Sequence, residues 1–171
     1  MSDWQSSAYV AEDAIQPIIG YREWVLIGDE IFSPLARTPW DAGPMRAECL
    51  PGCRSASGLW RMASAHAGPA PDPGCVCGIY ALFTPQRPWG RERLALVRGA
   101  VVLWGRIELH RRGMRAEFAR IAALALPSSR RHADAVVHVA EVLDVEAVPA
   151  RDLPLAALRH GQPVEPTLIP R

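Results

Sequence analysis

Apolar positions along the first two thirds of the chain fall in short runs separated by glycine and proline, the spacing of strands rather than of long helices. Tyr21 to Ile27 is rich in aromatic and branched side chains. Gly28-Asp29-Glu30 supplies turn chemistry, and Ile31 to Leu35 can return beside the first run as a hairpin. Pro39-Trp40 and Gly43-Pro44 punctuate the chain, leaving Met45 to Leu50 as a short strand candidate that contains Cys49. From Pro51 to Gly74 the pattern disappears into Gly, Pro, Ser and Ala. A structureless loop of that length inside a compact domain is uncommon, so it is either functional or tied down by something other than packing. Cys77 to Thr84 resumes with strand character, and Leu94 to Trp104 runs almost continuously apolar, as a central strand pair would.

Side-chain period also predicts a hairpin around Arg112-Gly113. With the turn centred between them, Leu109 faces Ala116 and Ile107 faces Phe118 on an apolar surface. Glu108 then faces Glu117, and His110 faces Arg115, on a charged one. In this reading Gly113 supplies a positive φ. After Pro127, Ser128 or Ser129 can cap a helix that carries Ala133, Val136, Val137, Ala140 and Leu143 at helical spacing, and Asp152 to Leu158 is a candidate for one more short helix.

These elements predict an α+β fold: a curled antiparallel sheet or small open β-barrel with one or two C-terminal helices. The β core spans residues 20–120 and the helical part 128–160, within a single domain of residues 14–160. Residues 1–13 and the Pro-rich 161–171 read as loose tails. With 171 residues, of which 49% are hydrophobic, there is enough for one core. No apolar run approaches the roughly 20 residues needed to cross a bilayer, and the start lacks a basic region followed by an apolar stretch, so a cytoplasmic protein with no membrane partner is expected.

Charge adds a second layer. All 19 basic residues are arginine. GC-rich coding accounts for that choice but not for its placement, because residues 87–131 hold eleven Arg against three Glu while residues 1–50 hold three Arg against eight acids. The basic stretch also carries Trp89 and Trp104. Arginine neutralises phosphate and tryptophan stacks on unpaired bases, so Trp104, Arg106, Arg111, Arg112 and Arg115 are candidates for binding nucleic acid or an acidic protein. The ordinary alternative is a core tryptophan with a solvated arginine fringe.

Four cysteines sharpen the picture further. Cys49 and Cys53 are separated by three residues, Cys75 and Cys77 by one, and the pairs flank the long loop. In a reducing compartment such pairs supply thiolates to a structural zinc ion, which contributes folding energy that a Pro-rich loop cannot find in packing. His66 lies inside the loop and can replace Cys53, giving Cys49, His66, Cys75 and Cys77. The spacing is not that of two CxxC pairs, and buried reduced cysteines are the plain alternative. Glu108 and Glu117, with His110 beside them, are weak catalytic candidates, since two like charges across a sheet raise one pKa. Ion pairs with the neighbouring arginines would keep both carboxylates ionised. No nucleophile elbow, P-loop, dinucleotide fingerprint or HExxH is present.

The segments Cys75-Val76-Cys77-Gly78-Ile79-Tyr80-Ala81 and Leu103-Trp104-Gly105-Arg106, with His110, Gly113 and Arg115-Ala116-Glu117-Phe118-Ala119, resemble a family of uncharacterised actinobacterial proteins over about residues 20–120. The resemblance implies a bacterial cytoplasmic protein and no particular reaction. It groups Cys49, His66, Cys75 and Cys77 as a set, with Cys53 as an extra. The expectation is therefore a non-enzymatic binding or regulatory module with a structural zinc clasp and a basic face. The alternatives are a Cys/His-dependent enzyme with a pocket formed by the 51–76 loop, and a structural subunit of a larger assembly.

Overall fold

A computed structural model of the chain describes residues 9–11, 17–34, 37–49, 66, 68–85 and 96–171. Cys53, Trp89 and the arginines between 86 and 95 lie outside the described residues, as does Leu35 at the end of the first expected hairpin.

Among the described residues, nine strands form one mixed sheet: β1 (Tyr9–Ala11), β2 (Ile18–Ile27), β3 (Glu30–Phe32), β4 (Pro39–Trp40), β5 (Met45–Arg46), β6 (Ile79–Leu82), β7 (Leu96–Leu109), β8 (Gly113–Leu126) and β9 (Glu146–Pro149). The helices are α1 (Arg130–Val142) and α2 (Leu153–Ala157). This is the expected α+β fold with a curled sheet. Strands β7, β8, β6 and β2 pair in a ring, but β2 and β6 meet only at Tyr21 and Leu82, so the ring is not a closed barrel. Strand β9 adds a parallel edge to β8.

The long antiparallel pair β7/β8 is the spine, and it curls because its ladder is interrupted twice, at Ala100/Val101 and at Trp104/Ile107. Gly105 (φ 74) provides the left-handed residue at the second interruption. One apolar cluster gathers Trp24, Ile31, Leu103, Ile107, Met114 and Leu124 with Val136 and Val139 of α1. A second, on the other side of the sheet, gathers Ile19, Tyr21, Val102 and Ala123 with Leu153, Ala156 and Ala157 of α2.

Several expectations change in detail. The β7/β8 turn is Arg111–Arg112, closed by the His110 amide donating to the Gly113 carbonyl at 2.8 Å, which slides the register by two residues. Leu109 pairs with Met114, Ile107 with Ala116, and Glu108 with Arg115 instead of Glu117. A slip of two preserves the face on which each side chain sits, so the apolar alternation alone could not distinguish the two registers. Gly113 does not adopt a positive φ. It is required because a Cβ there would stand 2.3 Å from the Ala81 carbonyl oxygen.

Helix α1 follows Ser129 as expected, but it buries Val136, Val139 and Ala140 and leaves Val137 exposed. The terminal segments are not loose where described: β1 pairs with β7, Gln162 exchanges backbone hydrogen bonds with Pro17 and Ile19, and Val164 packs in the main core. Among the described residues no helix is long and apolar enough to cross a membrane.

Candidate metal centre

Three chain segments converge beside β8. Strand β5 pairs Met45 and Arg46 with Ala119 and Phe118, and the Ala47 amide donates to the Glu117 carbonyl at 2.6 Å. These bonds deliver Cys49 on the irregular residues that follow. His66 comes from the long loop. Cys75 and Cys77 come from a tight segment started by Asp72, whose side chain accepts from the Gly74 amide at 2.8 Å and whose carbonyl accepts from the Cys75 amide at 2.9 Å. Gly78 (φ 124) then turns the chain into β6. A Cβ at that position would lie 3.0 Å from the Arg115 Cβ, so only glycine lets the cysteine segment rest directly on β8.

The ligand atoms of Cys49, His66, Cys75 and Cys77 all lie within 4.8 Å of one another. The Cys49 and Cys75 sulfurs are 3.7 Å apart, too far for a disulfide and close to the edge of about 3.8 Å that two thiolates span on a tetrahedral zinc. His66 Nε2 is 3.1 Å from the Cys77 sulfur. Three soft sulfurs and one imidazole are a donor set that can hold a metal ion, and it is compatible with zinc. Burial pushes the Cys77 thiol up to about 12, and the neighbouring Cys75 and Cys49 sulfurs push the same way. A cation bound among these sulfurs would favour their thiolate forms.

Arg115 lies underneath. Only 4% exposed, its guanidinium donates to the Cys75 carbonyl, to the Cys77 carbonyl at 2.9 Å, to the Asp72 carbonyl at 3.3 Å and to the Glu108 carboxylate. Every carbonyl in this group belongs to the segment that carries the two buried cysteines. Burial raises the Glu108 pKa while Arg115 pulls it down, and the His110 imidazole, 3.4 Å from Glu108, is held to about 4 by burial and by Arg115.

Arg115 was expected on a partner-binding face, and the structure corrects this. It is buried because β6 and the cysteine segment cover it, a relation between distant parts of the chain that the local pattern does not carry. Glu108 and His110 are likewise buried, and Glu117 instead pairs with Arg46 at 3.3 Å, so the charged constellation divides into an interior group and a surface pair. Arg111 and Arg112 are exposed at the hairpin tip, and Arg106 is half-buried. Trp104 is half-buried and stacks on Phe118, with centroids 5.8 Å apart and planes 12° from parallel, while the Arg46 guanidinium lies 5.5 Å from the Phe118 ring. Sequence reasoning missed Phe118 and Arg46 as neighbours of Trp104. The signal was Gly105, since an isolated glycine inside a strand marks a bulge that shifts the pairing.

No protein-family model, no curated protein and no solved structure matches this chain. The cluster is therefore assigned on its own geometry.

Proposed function

We propose that the chain is a non-enzymatic binding or regulatory module whose Cys49, His66, Cys75 and Cys77 hold a structural zinc ion. Its arginine- and tryptophan-bearing surface meets an anionic partner, nucleic acid ahead of an acidic protein. The observation that carries the first half is the convergence of four soft donors from three chain segments within 4.8 Å. A complete set of four protein ligands leaves no coordination position for a substrate, which favours a structural over a catalytic ion.

Support for the second half comes from the exposed Arg111 and Arg112 and from the Trp104/Phe118 stack with Arg46 beside it. Arg115 is excluded from this surface by its burial. The test is binding of a fluorescent single-stranded oligonucleotide over a salt series. Replacing Arg111 and Arg112 with Gln should weaken binding and reduce the slope of log K against log salt by about 1.4, or 0.7 for each lost phosphate contact. Unchanged affinity in the double variant would remove nucleic acid from the proposal and leave the acidic protein as the partner to test.

A further inference from the structure

The four ligands are not equally accessible. Cys75 and Cys77 are 7% and 5% exposed, whereas Cys49 is half-buried and, with His66, lines an open cleft of about 210 Å³ bounded by Arg46, Glu48 and Pro69. Arg46 and Glu48 put opposite charges on its described wall, and a cleft of this size admits a molecule as small as hydrogen peroxide. Cys49 is therefore the least covered of the cluster's three cysteines, and the sulfur of Cys75 lies 3.7 Å from its own.

From this arrangement we propose that Cys49 is an oxidation site: hydrogen peroxide reaching it through the cleft joins it to Cys75 as a disulfide and releases the metal. This rests on the zinc reading given above. The Cys49 thiolate attacks peroxide, the O–O bond breaks, and a sulfenic acid and one hydroxide form. The Cys75 thiolate then attacks the Cys49 sulfur, the S–S bond forms, and a second hydroxide leaves. Two thiolates have lost two electrons and peroxide has gained them. Zinc changes no oxidation state, but it loses two of its four ligands and both of their charges.

The surroundings make Cys49 the moving partner. Closing 3.7 Å to a disulfide length of about 2.0 Å requires one sulfur to travel. Cys75 is held through its amide by Asp72 and through its carbonyl by Arg115. Cys49 sits on irregular chain three residues beyond Arg46, the last residue of β5. Oxidation thus pulls on the strand that sets Arg46 over Phe118, linking the redox state of the cluster to the candidate binding surface.

The experiment uses the full-length, zinc-loaded protein, with metal content measured first. Peroxide is then added while a chromogenic chelator reads released zinc and mass spectrometry maps the disulfides. The expected result is about one zinc released for each peroxide consumed, a Cys49–Cys75 crosslink as the first product, and recovery of metal binding after dithiol and zinc are added. A first crosslink between Cys75 and Cys77, or between Cys49 and Cys53, overturns the proposal. So does zinc that stays bound after Cys49 has been oxidised. Protein that binds no metal at the outset overturns the zinc reading itself and the release step with it, which separates the two failures. Because the map is read on the unsubstituted chain, the outcome does not depend on whether Cys49→Ser folds.

Discussion

The main core and the cysteine cluster are held by different forces. The core packs Trp24, Leu103, Ile107, Met114 and Leu124 against α1, and its stability grows with the apolar area removed from water. Among the described residues, the cluster contributes Ala70, Cys75 and Cys77 as buried apolar residues, with Ala47 and Cys49 against them. This described apolar set is far smaller than the main core, while ordering chain carries an entropic cost per residue. Its order comes instead from directed bonds: Arg115 to three carbonyls from below and, in our reading, a metal ion joining four side chains from above. One region tolerates changes of shape that conserve volume, while the other depends on individual donors and acceptors.

The sharpest way to break this contrast is Arg115→Met. It leaves Glu108 buried without the Arg115 cation and removes one guanidinium donor from each of three carbonyls, and should cost about 3–5 kcal/mol in chemical denaturation. Adding Glu108→Gln should recover only part of the loss, since the Cys75, Cys77 and Asp72 carbonyls still lack the Arg115 guanidinium. Full recovery would mean that the ion pair alone mattered and that the carbonyl contacts contribute nothing.

Leu103→Ala tests the other region. A fully buried leucine lost from the main core should cost about 2–5 kcal/mol, with metal content unchanged under conditions where the variant is folded. Loss of the metal from folded Leu103→Ala would show that the two regions are not separable in the way described.

A smaller effect is expected from His110. Its folded-state pKa of about 4 lies below the usual imidazole value, so between roughly pH 4 and 6.5 the unfolded chain takes up a proton that the folded chain refuses. The His110 contribution is therefore complete above about pH 6.5 and is lost as pH falls through that window, by at most about 1.4 kcal/mol per pH unit. Glu108, with its raised pKa, acts in the opposite direction, because its folded carboxyl holds a proton to higher pH than the unfolded one. Comparing denaturation of the native chain with His110→Phe at pH 5 and pH 7 isolates the imidazole; identical pH dependence in both would contradict its neutral burial.

The same division explains what could be read in the sequence. The Gly28 turn, the β2/β3 hairpin and α1 after Ser129 depend on local turn chemistry and side-chain period, and those signals lie within a few residues. The set Cys49, His66, Cys75 and Cys77 was legible because thiol and imidazole chemistry is rare enough to stand out from a Gly/Pro background. The role of Arg115 was not, since it depends on β6 and the cysteine segment folding over β8 from some 40 positions away. The β7/β8 register was hidden because Gly113 serves a close approach to Ala81 and not a turn, a distinction that requires knowing which strand lies opposite.

Elemental analysis of protein purified without chelator bears most directly on the central claim that a metal ion holds this segment to the sheet. The account predicts about one zinc per chain, falling to a small fraction of that when Cys75 and Cys77 are both replaced by Ser. Less than about half an equivalent of any transition metal in the native chain would contradict it.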